Sequence, residues 1–91
     1  MKKVVAQFNV VGFSAEQYNQ VLKDLEAAGK DKSAARLNHV AVQQPDGLLI
    51  IDVWESEEAL NKFSETLIPV LVKNGVTPAQ PVVLPLHNII A

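Results

Sequence analysis

The fold is decided by residues 37–54, which read LNHVAVQQPDGLLIIDVW. Two apolar runs rich in β-branched side chains flank Pro45, Asp46 and Gly47, and Asp-Gly is among the strongest hairpin signals that a short stretch can carry. The sequence therefore predicts two antiparallel strands in the middle of the chain, Leu37 to Gln44 and Gly47 to Trp54.

One strand and one helix are predicted before this hairpin. Residues 3–10 are short, β-branched and aromatic, which is typical of a strand. Ser14 and Gln17 have the spacing of a capping box, so a helix is expected to begin there. Phe13 and Tyr18 flank that start at the spacing of a hydrophobic staple. Packing at the helix start therefore explains Tyr18 without any chemical role.

A second helix and a last strand are predicted after the hairpin. Ser56 is placed to cap the helix, Pro69 is expected to kink it because proline lacks the amide hydrogen, and Gly75 ends it. The last strand is expected over residues 82–90. It contains Pro85, which an edge strand tolerates and a central strand does not.

The predicted order of strand, helix, strand, strand, helix, strand is that of the split-βαβ, ferredoxin-like α+β fold. In that topology the antiparallel sheet has the order 4-1-3-2 with both helices on one face. A length of 91 residues and a mass of 9.9 kDa suit one domain spanning residues 1–91.

The strands carry aliphatic side chains toward both faces of this sheet. Residues 48–51 read LLII and residues 82–84 read VVL, so the face without helices also needs a cover. A second copy of the sheet is the simplest cover, because most soluble oligomers are symmetric dimers. The alternative is a solvated face that carries a few extra aliphatic side chains.

Composition narrows the classes of function. A net charge of −2 gives no basic excess for nucleic acid, and the absence of cysteine removes disulfides and thiolate chemistry. No apolar stretch approaches the roughly 20 residues that cross a bilayer, and Gln7 and Asn9 interrupt the opening apolar run too early for a signal peptide. We expect a cytoplasmic protein with no nucleic-acid or membrane partner.

Residues 52–60, DVWESEEAL, carry a family resemblance. They resemble the strand-to-helix junction of the dimeric α+β barrel superfamily, which includes antibiotic biosynthesis monooxygenases and haem-degrading monooxygenases. Residues 39–41 and 85–88 are also similar to small members of that superfamily. The resemblance implies two sheets paired in a barrel, with an apolar pocket between sheet and helices in each subunit.

The sequence also departs from the superfamily's better-known members. Asn9 and Trp54 match two of the residues that haem-degrading members use, but residues 57–74 contain no histidine to supply the third. Quinone-forming members carry an Asn and a Tyr where this chain has Ile50 and Leu60. Of their pattern, Trp54 alone carries over, and a tryptophan can simply be a core residue.

The central hairpin supplies a candidate base. With Asp46 and Gly47 as the two-residue loop, His39 lies opposite Trp54 and diagonal to Asp52; with Pro45 and Asp46 as the loop, the pairing shifts by two residues. Either register leaves His39, Asp52 and Trp54 on one face, and we take the first. Asp52 is then expected to orient His39 as a general base beside an aromatic wall.

The candidate catalytic residues are thus His39 and Asp52, and the candidate ligand contacts are Trp54, Asn9, Tyr18, Phe63 and His87. Each has a simpler interpretation: a structural His–Asp pair, core packing, or, for His87, local backbone contacts or the dimer seam. His39 and His87 are expected on opposite edges of the sheet, roughly 14 Å apart, so no metal site is predicted. No cofactor is predicted either.

Three functions remain open from the sequence. The first in rank is a dimer that binds a small apolar or aromatic ligand. The second is a cofactor-independent, monooxygenase-like enzyme, in which a small aromatic substrate supplies the electrons to dioxygen and His39 is the base. The third is a structural or regulatory dimer without a pocket.

Overall fold

The computed structural model describes residues 2–90. Its elements are β1 (Val4–Val11), α1 (Ala15–Ala27), β2 (Arg36–Gln44), β3 (Gly47–Trp54), α2 (Glu57–Lys73) and β4 (Val82–Pro85). The four strands form one sheet in the order β2-β3-β1-β4, and every neighbouring pair is antiparallel. The predicted α+β ferredoxin-like fold and sheet order are confirmed.

The helix starts follow the predicted local chemistry. Ser14 Oγ accepts from the Gln17 amide and Gln17 Oε1 accepts from the Ser14 amide, each at 3.0 Å. The rings of Phe13 and Tyr18 meet edge to face, with centroids 5.9 Å apart. Ser56 Oγ accepts from the amide of Ala59 at 3.1 Å to begin α2. These contacts anchor the first turn of each helix.

The hairpin turn is not the predicted one. Gln44 pairs with Gly47, so Pro45 and Asp46 form the loop, and Gly47 is not among the glycines with positive φ. An added Cβ on Gly47 would collide with the backbone oxygen of Val10, so the glycine permits a close approach of β1. The register taken from the sequence was therefore wrong by two residues, and His39 lies directly opposite Asp52.

A bulge interrupts β2 at Leu37. Arg36 pairs with Trp54 and Asn38 pairs with Val53, so one extra residue stands in β2 between them. Such a bulge changes the face toward which the residues before it point. Arg36 therefore shares the face of Trp54, whereas Leu37 is exposed.

The last strand lies at a sheet edge, as Pro85 indicated, but it is shorter than predicted. It ends at Pro85, which pairs with Val4, the first residue of β1, so the sheet offers no further strand partner. One backbone bond continues the contact, from the Leu86 amide to the carbonyl of Lys3 at 2.9 Å. His87, predicted on this strand, lies beyond it.

Both helices cover the same face of the sheet. Side chains of α1 and α2 pack with the alternate residues of β1 and β3 in two buried clusters; the first contains Val10, Phe13, Val21, Leu25, Leu48, Ile50 and Val76, and the second contains Val4, Ala6, Trp54 and Leu60. We refer to the other side of the sheet as the open face. It exposes Val11, Val40, Val42, Val82 and Leu84.

The proline that was expected to kink the second helix does not end it. Pro69 lies inside α2, which continues to Lys73. Over residues 2–90, neither helix has the length and apolar character that crossing a membrane requires.

Candidate functional site

Three side chains from three elements form one hydrogen-bonded chain, which we call the triad. The Tyr18 hydroxyl on α1 lies 2.6 Å from Nε2 of His39 on β2. The other ring nitrogen, Nδ1, lies 2.5 Å from Oδ1 of Asp52 on β3. The planes of the Tyr18 and His39 rings are parallel to within 1°.

The local structure explains why these groups meet. His39 and Asp52 are cross-strand partners on the helix-covered face, where directly opposed side chains contact each other. Tyr18 is fixed in the first turns of α1 by the capping box and by its contact with Phe13. The predicted His39–Asp52 pair and the predicted position of Tyr18 thus come together at one place.

The chemistry of the groups sets the direction of each hydrogen bond. An ionised carboxylate only accepts hydrogen bonds, so Nδ1 of His39 carries a proton and donates it in a hydrogen bond to Asp52. In the neutral imidazole Nε2 then carries the lone pair and accepts from the Tyr18 hydroxyl. The triad therefore presents the phenol oxygen of Tyr18 at one end, with a proton acceptor directly behind it.

The burial of the three side chains agrees with these hydrogen-bond directions. Asp52 is 6% exposed and the His39 side chain is 24% exposed. Burial raises the pKa of Tyr18 above its ordinary value, the positive charge of Arg36 opposes that shift, and the Asp52 carboxylate adds to it. The phenol is therefore protonated at neutral pH and acts as a hydrogen-bond donor to His39.

The triad borders a cavity of about 420 Å³ between the sheet and the helices. This volume lies in the range of small-molecule sites, about 300–1,000 Å³. Most of the wall is aliphatic or aromatic, from both helices, the sheet and residues 76–83. The polar or charged lining residues are Tyr18, Arg36, His39, Asp52, Glu57, Asn61, Ser64 and Gln80.

The structure brings some of the predicted ligand contacts together and separates others. Tyr18 and Phe63 line the cavity with the His39–Asp52 pair. Trp54 lies behind Phe63, with ring centroids 5.3 Å apart, and is itself 0% exposed and not part of the lining. Asn9 is exposed on the open face, opposite Leu49.

His87 is exposed beyond β4 and is also absent from the cavity lining. One lining residue that the sequence did not single out is Arg36, whose guanidinium lies 5.4 Å from the centroid of the Phe63 ring. A regular β2 would have turned Arg36 to the open face. The bulge at Leu37 turns Arg36 inward, and no residue pattern in the sequence predicted that bulge.

Comparison with known proteins identifies the fold. No protein-family model matches the chain, and no curated protein sequence does. A variant of SnoaB, a cofactor-independent oxygenase from Streptomyces nogalater, superposes with a TM-score of 0.60 at 15% identity, over 96% of this chain and 93% of that one.

Two further solved structures are described as candidate antibiotic biosynthesis monooxygenases. The one from Caulobacter crescentus matches at 20% identity and a TM-score of 0.56, over 96% of this chain and 88% of its own. The one from Chloroflexus aurantiacus matches at 13% identity and a TM-score of 0.59, over 98% and 95%. The neighbours are antibiotic biosynthesis monooxygenase-like proteins, so the expected resemblance is confirmed at the level of the fold.

Proposed function

We propose that the chain binds a small aromatic molecule with an acidic hydroxyl group in the helix-side cavity and removes its proton through the triad. The observation that carries this proposal is the hydrogen-bonded sequence Tyr18, His39, Asp52, which ends at the wall of a largely apolar cavity. Apolar walls suit the ring of such a ligand, and the triad suits its hydroxyl group.

Proton removal follows from the direction of the hydrogen bonds. The ligand hydroxyl donates to the Tyr18 oxygen, and as the ligand loses its proton Tyr18 passes its own proton to Nε2 of His39. The resulting imidazolium is stabilised by the Asp52 carboxylate, which accepts the hydrogen bond from Nδ1–H throughout and is not itself protonated. Because the two transfers are coupled, the elevated pKa of Tyr18 is no obstacle: a free tyrosinate never has to form.

The reaction class we propose is cofactor-independent oxygenation. A ligand anion is electron-rich and can reduce dioxygen itself when the site is dry. When the hydroxyl is conjugated with a methylene group, its anion carries electron density on that carbon, and the balance is R₂CH₂ + O₂ → R₂C=O + H₂O. Two C–H bonds break, one oxygen atom becomes the carbonyl oxygen, the other leaves as water with both hydrogens, and the hydroxyl regains its proton from the triad. The likeness of the fold to SnoaB supports this choice, while the fold alone does not select a reaction.

The first test uses para-nitrophenol, whose anion is coloured. Below the solution pKa of the phenol, wild-type protein is expected to increase nitrophenolate absorption saturably, because the triad accepts the proton. His39→Gln is expected to bind without this increase. Gln43→Ala is the matched control, since Gln43 is exposed on the same strand and does not line the cavity.

The three functions then give different results. Binding with ionisation, followed by oxygen consumption with electron-rich phenols, supports the enzyme. Saturable binding that leaves the phenol protonated supports a non-catalytic binder of apolar or aromatic ligands. Absence of binding by phenols, quinones and fatty acids, read from the emission of Trp54 against a Trp54→Phe background, supports a structural or regulatory dimer.

We also propose that the chain works as a homodimer through the open face, in the cytoplasm. Val40, Val82 and Leu84 are 45%, 55% and 54% exposed there, and a second sheet would cover them. Sedimentation is expected to give a dimer for wild type and a monomer for Val42→Asp. Asn19→Asp, an equal charge change on the exposed side of α1, is expected to stay dimeric.

A further inference from the structure

We infer that Arg36 is an anion-binding residue of the cavity, and that the ligand carries a carboxylate in addition to its hydroxyl group. This inference rests on the cavity of the proposed function and narrows its ligand class to aromatic hydroxy-acids. It is carried by three observations: the bulge that directs Arg36 inward, the sparse pairing of its guanidinium, and its position relative to the triad.

The bulge is the first observation. Without it, strand alternation would place Leu37 on the helix-covered face and Arg36 on the open face. The extra residue reverses this: it leaves Leu37 41% exposed and places Arg36 in the cavity wall. Exposing a leucine in order to direct an arginine inward costs hydrophobic burial, and bulges beside sites are a known way to re-aim a side chain.

The pairing of the guanidinium is the second observation. Within residues 2–90 its hydrogen bond is a long one, from Nη2 to the carbonyl of Asp31 at 3.5 Å, and it forms no ion pair. Its face lies over Phe63. A guanidinium has five N–H donors in a fixed fork that fits a carboxylate in a bidentate manner, so most of its donor capacity is free for a ligand.

The position of Arg36 is the third observation. Arg36 lines the same cavity as Tyr18, and its positive charge partly offsets the rise that burial causes in the pKa of that phenol. One ligand can therefore span both groups, with its hydroxyl at Tyr18 and its carboxylate at Arg36. Glu57 also lines the cavity, but it is exposed and, within the described chain, makes no ion pair with Arg36.

The test compares ligands that differ by one carboxylate. Binding of 2-naphthol is measured beside two hydroxynaphthoate isomers, one with the carboxylate next to the hydroxyl group and one with it on the far ring. Wild type is expected to bind at least one isomer about tenfold or more tightly than naphthol, as a charge-assisted bidentate bond allows. The preferred isomer reports the spacing between Arg36 and the triad.

The variants assign that preference to Arg36. Arg36→Gln is expected to lose that preference, measured as the ratio of the affinity for the preferred isomer to the affinity for naphthol in the same protein, and Arg36→Lys is expected to keep part of it. Lys32→Gln, which removes an exposed charge four residues away, is expected to behave as wild type. Arg36→Lys retains the charge, so it serves as a second readout if Arg36→Gln is poorly folded.

The outcomes separate this inference from the proposed function. If naphthol binds and ionises but the carboxylate adds nothing, or Arg36→Gln keeps the preference, the inference is overturned and the triad stands. If the carboxylate preference depends on Arg36 but no ligand ionises, the inference holds and proton removal fails. If wild type binds none of the three compounds, both are overturned.

Discussion

Asp52 and Trp54 lie two residues apart on the same face of β3, yet they occupy opposite kinds of environment. Around Trp54, side chains of β1 and α2 close completely, and the indole is fully buried. Around Asp52, the helices leave a gap into which Tyr18 and His39 bring hydrogen-bonding groups. One face of one strand is thus both core and candidate site.

The polar atoms of the two residues show the same contrast. The Asp52 carboxylate is buried and hydrogen-bonded, whereas Nε1 of Trp54 is buried without a partner among the described residues. A buried donor without an acceptor is costly, so the stabilising contribution of Trp54 comes from the buried area of its ring. The residue that dominates the family resemblance therefore belongs to the packed core, and the candidate site is built around Asp52, two residues before it.

The largest expected effect tests the packing around Trp54. Trp54→Ala is expected to lower the free energy of unfolding by about 3–5 kcal/mol, because it empties the space of a fully buried ring. Urea denaturation measures this loss. Trp54→Phe is the control and should cost less, since it keeps a ring and removes the unpartnered donor. A loss below about 1 kcal/mol for Trp54→Ala would contradict the contrast.

The next effect tests the hydrogen bonds of Asp52. Asp52→Ala leaves Nδ1–H of His39 without its acceptor, which is expected to cost about 1–3 kcal/mol of unfolding free energy and to abolish nitrophenol ionisation. The same denaturation and absorption measurements apply. Glu65→Ala, on the exposed side of α2, is the control for removing a carboxylate. An Asp52→Ala protein that still ionises the phenol would exclude the triad as the base.

A smaller effect isolates the hydroxyl of Tyr18. Tyr18→Phe keeps the ring against Phe13 and removes one hydrogen bond, so the expected loss is about 0.5–1.5 kcal/mol. Function should change far more than stability, because the link between ligand and His39 is broken. Retained nitrophenol ionisation in Tyr18→Phe would mean that His39 meets the ligand directly.

The smallest effect is a pH dependence above neutrality. Because burial raises the pKa of Tyr18, the native phenol holds its proton to a higher pH than the unfolded chain, whose tyrosine titrates near 10.0. The associated stability is fully present below that pH and is lost as the pH rises through the native pKa. Tyr18→Phe should show a shallower alkaline loss than wild type; equal slopes would contradict the shift.

Much of the fold could be predicted because it is encoded locally. The capping box at Ser14 predicted the start of α1, and Pro85 predicted that the last strand lies at an edge of the sheet. Both predictions are confirmed. The register of the hairpin was missed because Gly47 looked like a turn residue. Its actual role, the close approach of β1, depends on a third strand that the hairpin sequence does not contain.

The site was predictable in part for a similar reason. Strand alternation places His39 and Asp52 on one face of the sheet, so the sequence was sufficient to predict that they lie close together. The contact of Tyr18 with His39 depends on how α1 packs over the sheet, and the inward turn of Arg36 depends on a bulge. Asn9, chosen by resemblance, lies on the open face because alternation along β1 puts it there.

The extra residue in β2 also bears on how such a protein could change its ligand. The segment before Asn38 has two possible registers against the end of β3. In the observed register Leu37 is the extra residue and Arg36 faces the cavity; if the bulge closed without loss of a residue, Leu37 would lie opposite Trp54 and Arg36 would turn to the open face. Deleting Leu37 would remove the second register, because Arg36 would then precede Asn38 directly and keep its place opposite Trp54. A slip of one residue at the edge of the sheet would thus exchange an arginine for a leucine in the cavity wall while the triad keeps its register.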